Sequence, residues 1–109
     1  MPHNTNSPPT ISDQADALRA MLRLAEQYPD LPAPYIACGR HEFDRIRAQL
    51  DSPSTLETWR EALHAPAESV EFNDLHGDVQ LQFTADIDRV TFRFYVIFPY
   101  GDAVSEAAV

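Results

Sequence analysis

Phe43-Asp44-Arg45-Ile46-Arg47-Ala48-Gln49-Leu50-Asp51 admits two readings, and the choice between them decides the fold. At period two, Ile46, Ala48 and Leu50 share one face while Arg45, Arg47 and Gln49 share the other, which is the pattern of a half-buried strand. At helical period, Phe43, Ile46, Arg47 and Leu50 fall at i, i+3, i+4 and i+7, but Arg47 interrupts that stripe with a charge whereas the alternating face is unbroken. We therefore read a strand. Just upstream, Tyr35 to Cys38 is short and apolar and Gly39 to Glu42 has the composition of a turn, so the two segments make a β-hairpin.

On the N-terminal side of this hairpin, Leu18, Met21, Leu22 and Ala25 recur at helical spacing. Ser12 stands as N-cap, and Asp13 and Asp16 lie in the first turn, where the helix dipole favours them. The helix ends near Tyr28 and Pro29, and Asp30-Leu31-Pro32-Ala33-Pro34 is a connector that its prolines hold extended. On the C-terminal side, Ser52-Pro53-Ser54 opens a second helix. Ser54 and Glu57 have the spacing of a capping box, and Leu56, Trp59 and Leu63 line one side. His64 falls in its last turn, and Pro66 stops it. The final third alternates: Val70 and Phe72, then Val79, Leu81, Phe83 and Ala85, then Val90, Phe92, Phe94, Val96 and Phe98. Turn residues at Asp74 to Asp78 and Asp86 to Arg89 separate three strands of a meander.

The expected order is α-β-β-α-β-β-β. This is an α+β two-layer sandwich, with an antiparallel five-stranded sheet carrying both helices on one face and turning the other to solvent. Trp59 and the phenylalanines would fill the space between the layers. Residues 12–98 form a single domain. Residues 1–11, rich in proline and small polar side chains, read as a disordered arm, and residues 99–109 as a flexible tail.

Composition narrows the chemistry. The 109 residues carry 17 acidic and 8 basic side chains, a net charge of -9, which opposes binding to nucleic acid or to an anionic membrane and makes acidic or phosphate-rich partners poor first expectations. All the basic residues are arginine, so a Schiff-base or P-loop lysine is excluded. The three glycines are too far apart for a dinucleotide-binding turn or a nucleophile elbow, and no cofactor is implied. A single cysteine, no secretory signal and no long apolar run make a cytoplasmic location the default expectation.

Three groups of residues could carry function. Asp74, His76 and Asp78 could share a metal ion, although Asp and Gly are also what a tight hairpin turn requires. Cys38 and His41 are spaced so that a thiolate could be activated, against the commoner role of a small buried hydrophobe for such a cysteine. The solvent face of the sheet would gather Arg45, Arg47, Gln49, Glu71, Gln80, Gln82, Thr84, Thr91, Arg93 and Tyr95, and with them Phe43 and Ile97. Arginine and tyrosine there suit recognition of another protein; the bland alternative is that the arginines pair across strands with Glu71 and other acids.

The lysine-free, alanine- and arginine-rich composition, with LPAPYI at 31–36 and ETWREAL at 57–63, resembles small acidic proteins of actinobacteria such as streptomycetes and of their phages or mobile elements. The resemblance implies a source and a fold pattern, and no activity or functional residue. The leading expectation is a noncatalytic accessory module that binds another protein through its sheet face or an edge strand, with Arg45, Arg47, Arg93 and Tyr95 as anchors. Its alternatives are an acidic, DNA-mimicking inhibitor of a nucleic-acid enzyme and a small metal-dependent or thiol enzyme. Self-association as a homodimer is a further expectation, should the strand bearing Tyr95 and Ile97 lie at the sheet's edge.

Overall fold

Ile46, Ala48 and Leu50 are buried and Arg45, Arg47 and Gln49 are exposed, as the period-two reading requires. The computed structural model describes residues 8–99. A 3-10 turn over Ile11–Gln14 leads into α1 (Ala15–Gln27), followed by β1 (Tyr35–Cys38), β2 (Arg45–Gln49), α2 (Pro53–Ala62), β3 (Glu71–Asp74), β4 (Asp78–Ile87) and β5 (Val90–Pro99). Most of the expected arm and tail, residues 1–7 and 100–109, lies outside the described residues.

The order of elements matches the expectation, but the sheet is not wholly antiparallel. Its strand order is β1-β2-β5-β4-β3, and β2 runs parallel to β5. Alternation reports which face each side chain takes and carries no information on strand direction. Direction here follows from the route of the chain. After β2 it crosses by way of α2 to the far edge, and the β3-β4-β5 meander then returns inward until β5 docks against β2. A parallel pair needs such a long crossover, because a tight turn joins only antiparallel strands. β5 is therefore an interior strand, which removes the basis for edge pairing through Tyr95 and Ile97.

Being flanked on both sides, β5 holds the centre of the core. Phe92, Phe94 and Val96 are buried, and Phe94 lies between the rings of Trp59 and Phe83, with centroids 5.0 and 5.1 Å away. Both helices cover this one face. Their coverage stops short of β3, so Phe72, placed opposite Leu81, is 61% exposed instead of joining the core.

The helices differ from the sequence reading in phase and capping. α1 buries Ala17, Ala20 and Leu24, while Leu18 and Leu22 face outward. Small alanines let the helix backbone approach the sheet, and hydropathy underrates them beside leucine. α2 is capped by Ser52, not Ser54. Ser52 Oγ accepts from the Thr55 N–H, and Thr55 Oγ1 accepts from the Ser52 N–H, with Pro53 in the first turn. Glu57 is left to pair with Arg60 one turn on.

Candidate functional site

The outer face of the sheet is organised into cross-strand rows by the register of its five strands. One row reads Tyr35, Gln49, Tyr95, Gln82, Glu71; the next reads Ala37, Arg47, Arg93, Thr84; a third reads Arg45, Thr91, Asp86. Several of these side chains satisfy one another. Gln82 Nε2 donates to Glu71 Oε2 at 2.8 Å, Thr91 Oγ1 donates to Asp86 Oδ1 at 2.7 Å, and the Tyr95 hydroxyl reaches Gln49 Oε1 at 3.5 Å.

The arginines are the exception. Arg47 and Arg93 are direct partners on adjacent parallel strands, which sets their Cα atoms about 4.8 Å apart on the same face. Arg45 lies two residues along β2 on that face, and Arg40 stands in the loop of the β1–β2 hairpin. Among the described residues none of these four guanidinium groups makes an ion pair or a side-chain hydrogen bond. On the helical side, by contrast, Arg19 pairs with Asp16, Arg23 with Asp88 and Arg60 with Glu57. The cross-strand neutralisation of the sheet arginines by Glu71 is therefore not what the fold builds: Glu71 sits one row away and two strands over from Arg93, bonded to Gln82.

These groups surround a hollow. Ala37, Gly39, Arg40, His41, Glu42, Arg45, Arg47 and Arg93 line a depression of about 480 Å³, which adjoins a smaller one of about 320 Å³ floored by Thr84 and Thr91. Ala37, placed opposite Arg47, contributes only a methyl group to this lining. Among the described residues Glu42 is the one carboxylate lining the hollow. The sequence marks Arg40 and Glu42 only as turn residues, and His41 as a turn residue or a partner of Cys38. Their contribution depends on the hairpin loop folding toward the outer face, for which alternation in the flanking strands gives no signal.

Arg45, Arg47 and Arg93 line this hollow with Glu42 and make no ion pair among the described residues; a guanidinium presents paired N–H donors that match a carboxylate or phosphoryl edge. The surrounding molecule is strongly acidic. At physiological salt charge interactions decay over about 8 Å, so the distant acids act on this hollow more weakly than its own arginines and Glu42 do.

The other candidates are placed apart from this hollow. Asp74 ends β3 and Asp78 begins β4, joined by a tight turn in which Leu75 N–H donates to the Asp78 carbonyl and His76 and Gly77 have φ of 56° and 104°. Positive φ at both central residues is the geometry that two-residue hairpins prefer. Among the described residues no group of three His, Cys, Asp or Glu side chains is placed to hold a metal ion. Cys38 pairs with Ile46 and so points to the helix-covered face, half-buried against the core, while His41 lines the hollow on the opposite face. Comparison with protein-family models, with curated proteins and with solved structures found no significant match to this chain. No helix among the described residues is long and apolar enough to cross a membrane.

Proposed function

We propose that this protein is a noncatalytic binding module that docks an acidic segment of another protein on the outer face of its sheet. Arg45, Arg47 and Arg93 supply the charge contacts, and Tyr95 the aromatic anchor. One observation carries the reading: Arg47 and Arg93 are held side by side and, among the described residues, make no ion pair even though Glu42 lines the same hollow, in a molecule of net charge -9 that pairs its helical arginines with acids. Like charges placed directly opposite across strands work against folding, so their retention is accounted for by a ligand more readily than by stability. Arginine and tyrosine on a flat, rigid surface are also the residue types that dominate binding energy at protein interfaces.

The test uses the intact protein as bait in an extract of its native host, beside an Arg47→Glu/Arg93→Glu variant and a Tyr95→Ala variant. All three should have the same circular dichroism spectrum. A protein retained by the wild type and lost with charge reversal should contain an acidic segment, and that segment, synthesised alone, should bind the wild type directly in calorimetry. Equal retention by wild type and charge-reversed bait would remove this face from consideration.

A further inference from the structure

We infer that the acidic segment binds as an added strand along the free edge of β1, with acidic and apolar residues alternating along it. This rests on the reading above and specifies how that site is occupied.

The two edges of the sheet differ in a way that selects one of them. β3 carries Glu71 and Asp74 within four residues, so its unpaired backbone groups are flanked by carboxylates that repel an acidic chain. β1 reads Tyr35-Ile36-Ala37-Cys38, with no charge and no proline inside the strand, and among the described residues it pairs with β2 on one side only. Edge strands that must stay unpaired are ordinarily guarded by charge, proline or a bulge. β1 has none of these guards inside the strand; its protection is its length of four residues and Pro34 just before it.

The side chains beside this edge dictate the composition of the incoming strand. On the outer face, the arginine-lined hollow extends over Ala37, within reach of the flexible Arg47 side chain from the next strand. A carboxylate projecting from an added strand opposite Ala37 would enter that hollow. On the inner face, Ile36 is 38% exposed and Cys38 is partly buried against the core, so the apolar layer ends abruptly at β1. Because successive side chains of a strand point to opposite faces, one segment meets both demands if acids and apolar residues alternate. Main-chain hydrogen bonds to β1 would supply affinity, and the alternating side chains selectivity, which is the general logic of strand addition.

The probe is a short capped peptide of alternating glutamate and valine, titrated into the isotopically labelled full-length protein and followed by NMR. Saturable shifts are expected at the Tyr35–Cys38 amides and at the Arg47 side chain, with slowed amide exchange in β1. Two further peptides carry backbone N-methyl groups, one on every valine and the other on every glutamate. An antiparallel or parallel added strand turns only alternate N–H groups toward its neighbour, so one of these peptides should bind like the parent and the other should lose on the order of tenfold or more in affinity. Replacing glutamate with glutamine, or Arg47 with alanine, should weaken binding by a similar factor.

If both N-methylated peptides bind equally, strand addition is overturned while the arginine face stands. If the glutamine peptide binds as well as the glutamate one, acid recognition itself fails. An absence of shifts at millimolar peptide overturns both. If β1 amides are already protected and the molecular mass rises with protein concentration, a second copy of the chain occupies the edge, and the proposal of a foreign segment fails.

Discussion

Trp59 on α2 donates its indole N–H to the main-chain oxygen of Pro32 at 2.9 Å, across the connector that leads into β1. The same ring stacks on Phe94 at the centre of the sheet. One side chain thus fastens the second helix, the core and the entry to the edge strand, and it does so while leaving no buried indole N–H unpaired.

Trp59→Phe should keep most of the packing and lose the hydrogen bond, lowering stability by about 1 kcal/mol. Trp59→Ala should cost about 3–5 kcal/mol through the cavity it opens. Urea unfolding followed by circular dichroism measures both. A loss for the phenylalanine variant as large as that for alanine would mean that the bond to Pro32, and not the ring, holds the connector.

The last turn of α2 ends with His64 at φ 57°, the Ala65 N–H bonded to the Arg60 carbonyl and the His64 N–H to the Glu61 carbonyl. This is the Schellman arrangement with a histidine where glycine is usual. His64→Gly should raise stability by up to about 1 kcal/mol, the left-handed penalty of a side chain less the entropy glycine adds to the unfolded chain. Thermal melts of the variant should move upward; a downward shift would show that the imidazole makes a compensating interaction.

Arg47→Gln should stabilise the isolated protein slightly at low salt, by about 0.2–1 kcal/mol, because it relieves the like-charge pair with Arg93. The difference should vanish in high salt, where such repulsion is screened. A destabilised variant at all salt concentrations would indicate that the arginine serves the fold.

The phase of α1 can be checked with two substitutions. Leu22, 59% exposed, should accept glutamine with a change under about 0.5 kcal/mol. Ala20, fully buried, should not accept leucine without losing about 1–3 kcal/mol to overpacking. The reverse ranking would put the leucine stripe, and not the alanines, against the sheet.

The hydrogen bond from Arg60 holds the Glu57 carboxyl below its ordinary value of 4.5, partly opposed by slight burial. A folded-state pKa below the unfolded one means the pair contributes fully above the unfolded value and is lost as pH falls through the folded one. Glu57 is half-exposed, although Arg60 is mostly covered, and the effect is small. The stability difference between wild type and Glu57→Gln should therefore be largest at neutral pH and shrink as the pH drops below 4.5. A difference that stays constant with pH would assign it to packing of the side chain.

Local chemistry was enough to find every strand and both helices of the fold, and to sort Arg45, Arg47, Arg93 and Tyr95 onto one face, because a strand's side-chain period of two is a property of the backbone alone. Turn residues set the hairpins for the same reason. The parallel union of β2 with β5 was decided by long-range packing. So were the interior place of β5, the exposure of Phe72 and the choice of alanines as the buried face of α1. In each case the outcome depends on which surfaces remain uncovered once the chain has crossed from one edge of the sheet to the other. The unpaired arginine hollow belongs to this second group. Sequence placed Arg45, Arg47 and Arg93 on one face, but only the fold brought Arg40, His41 and Glu42 beside them, and only the register between strands distant in sequence put Arg47 opposite Arg93 and left Glu71 out of reach.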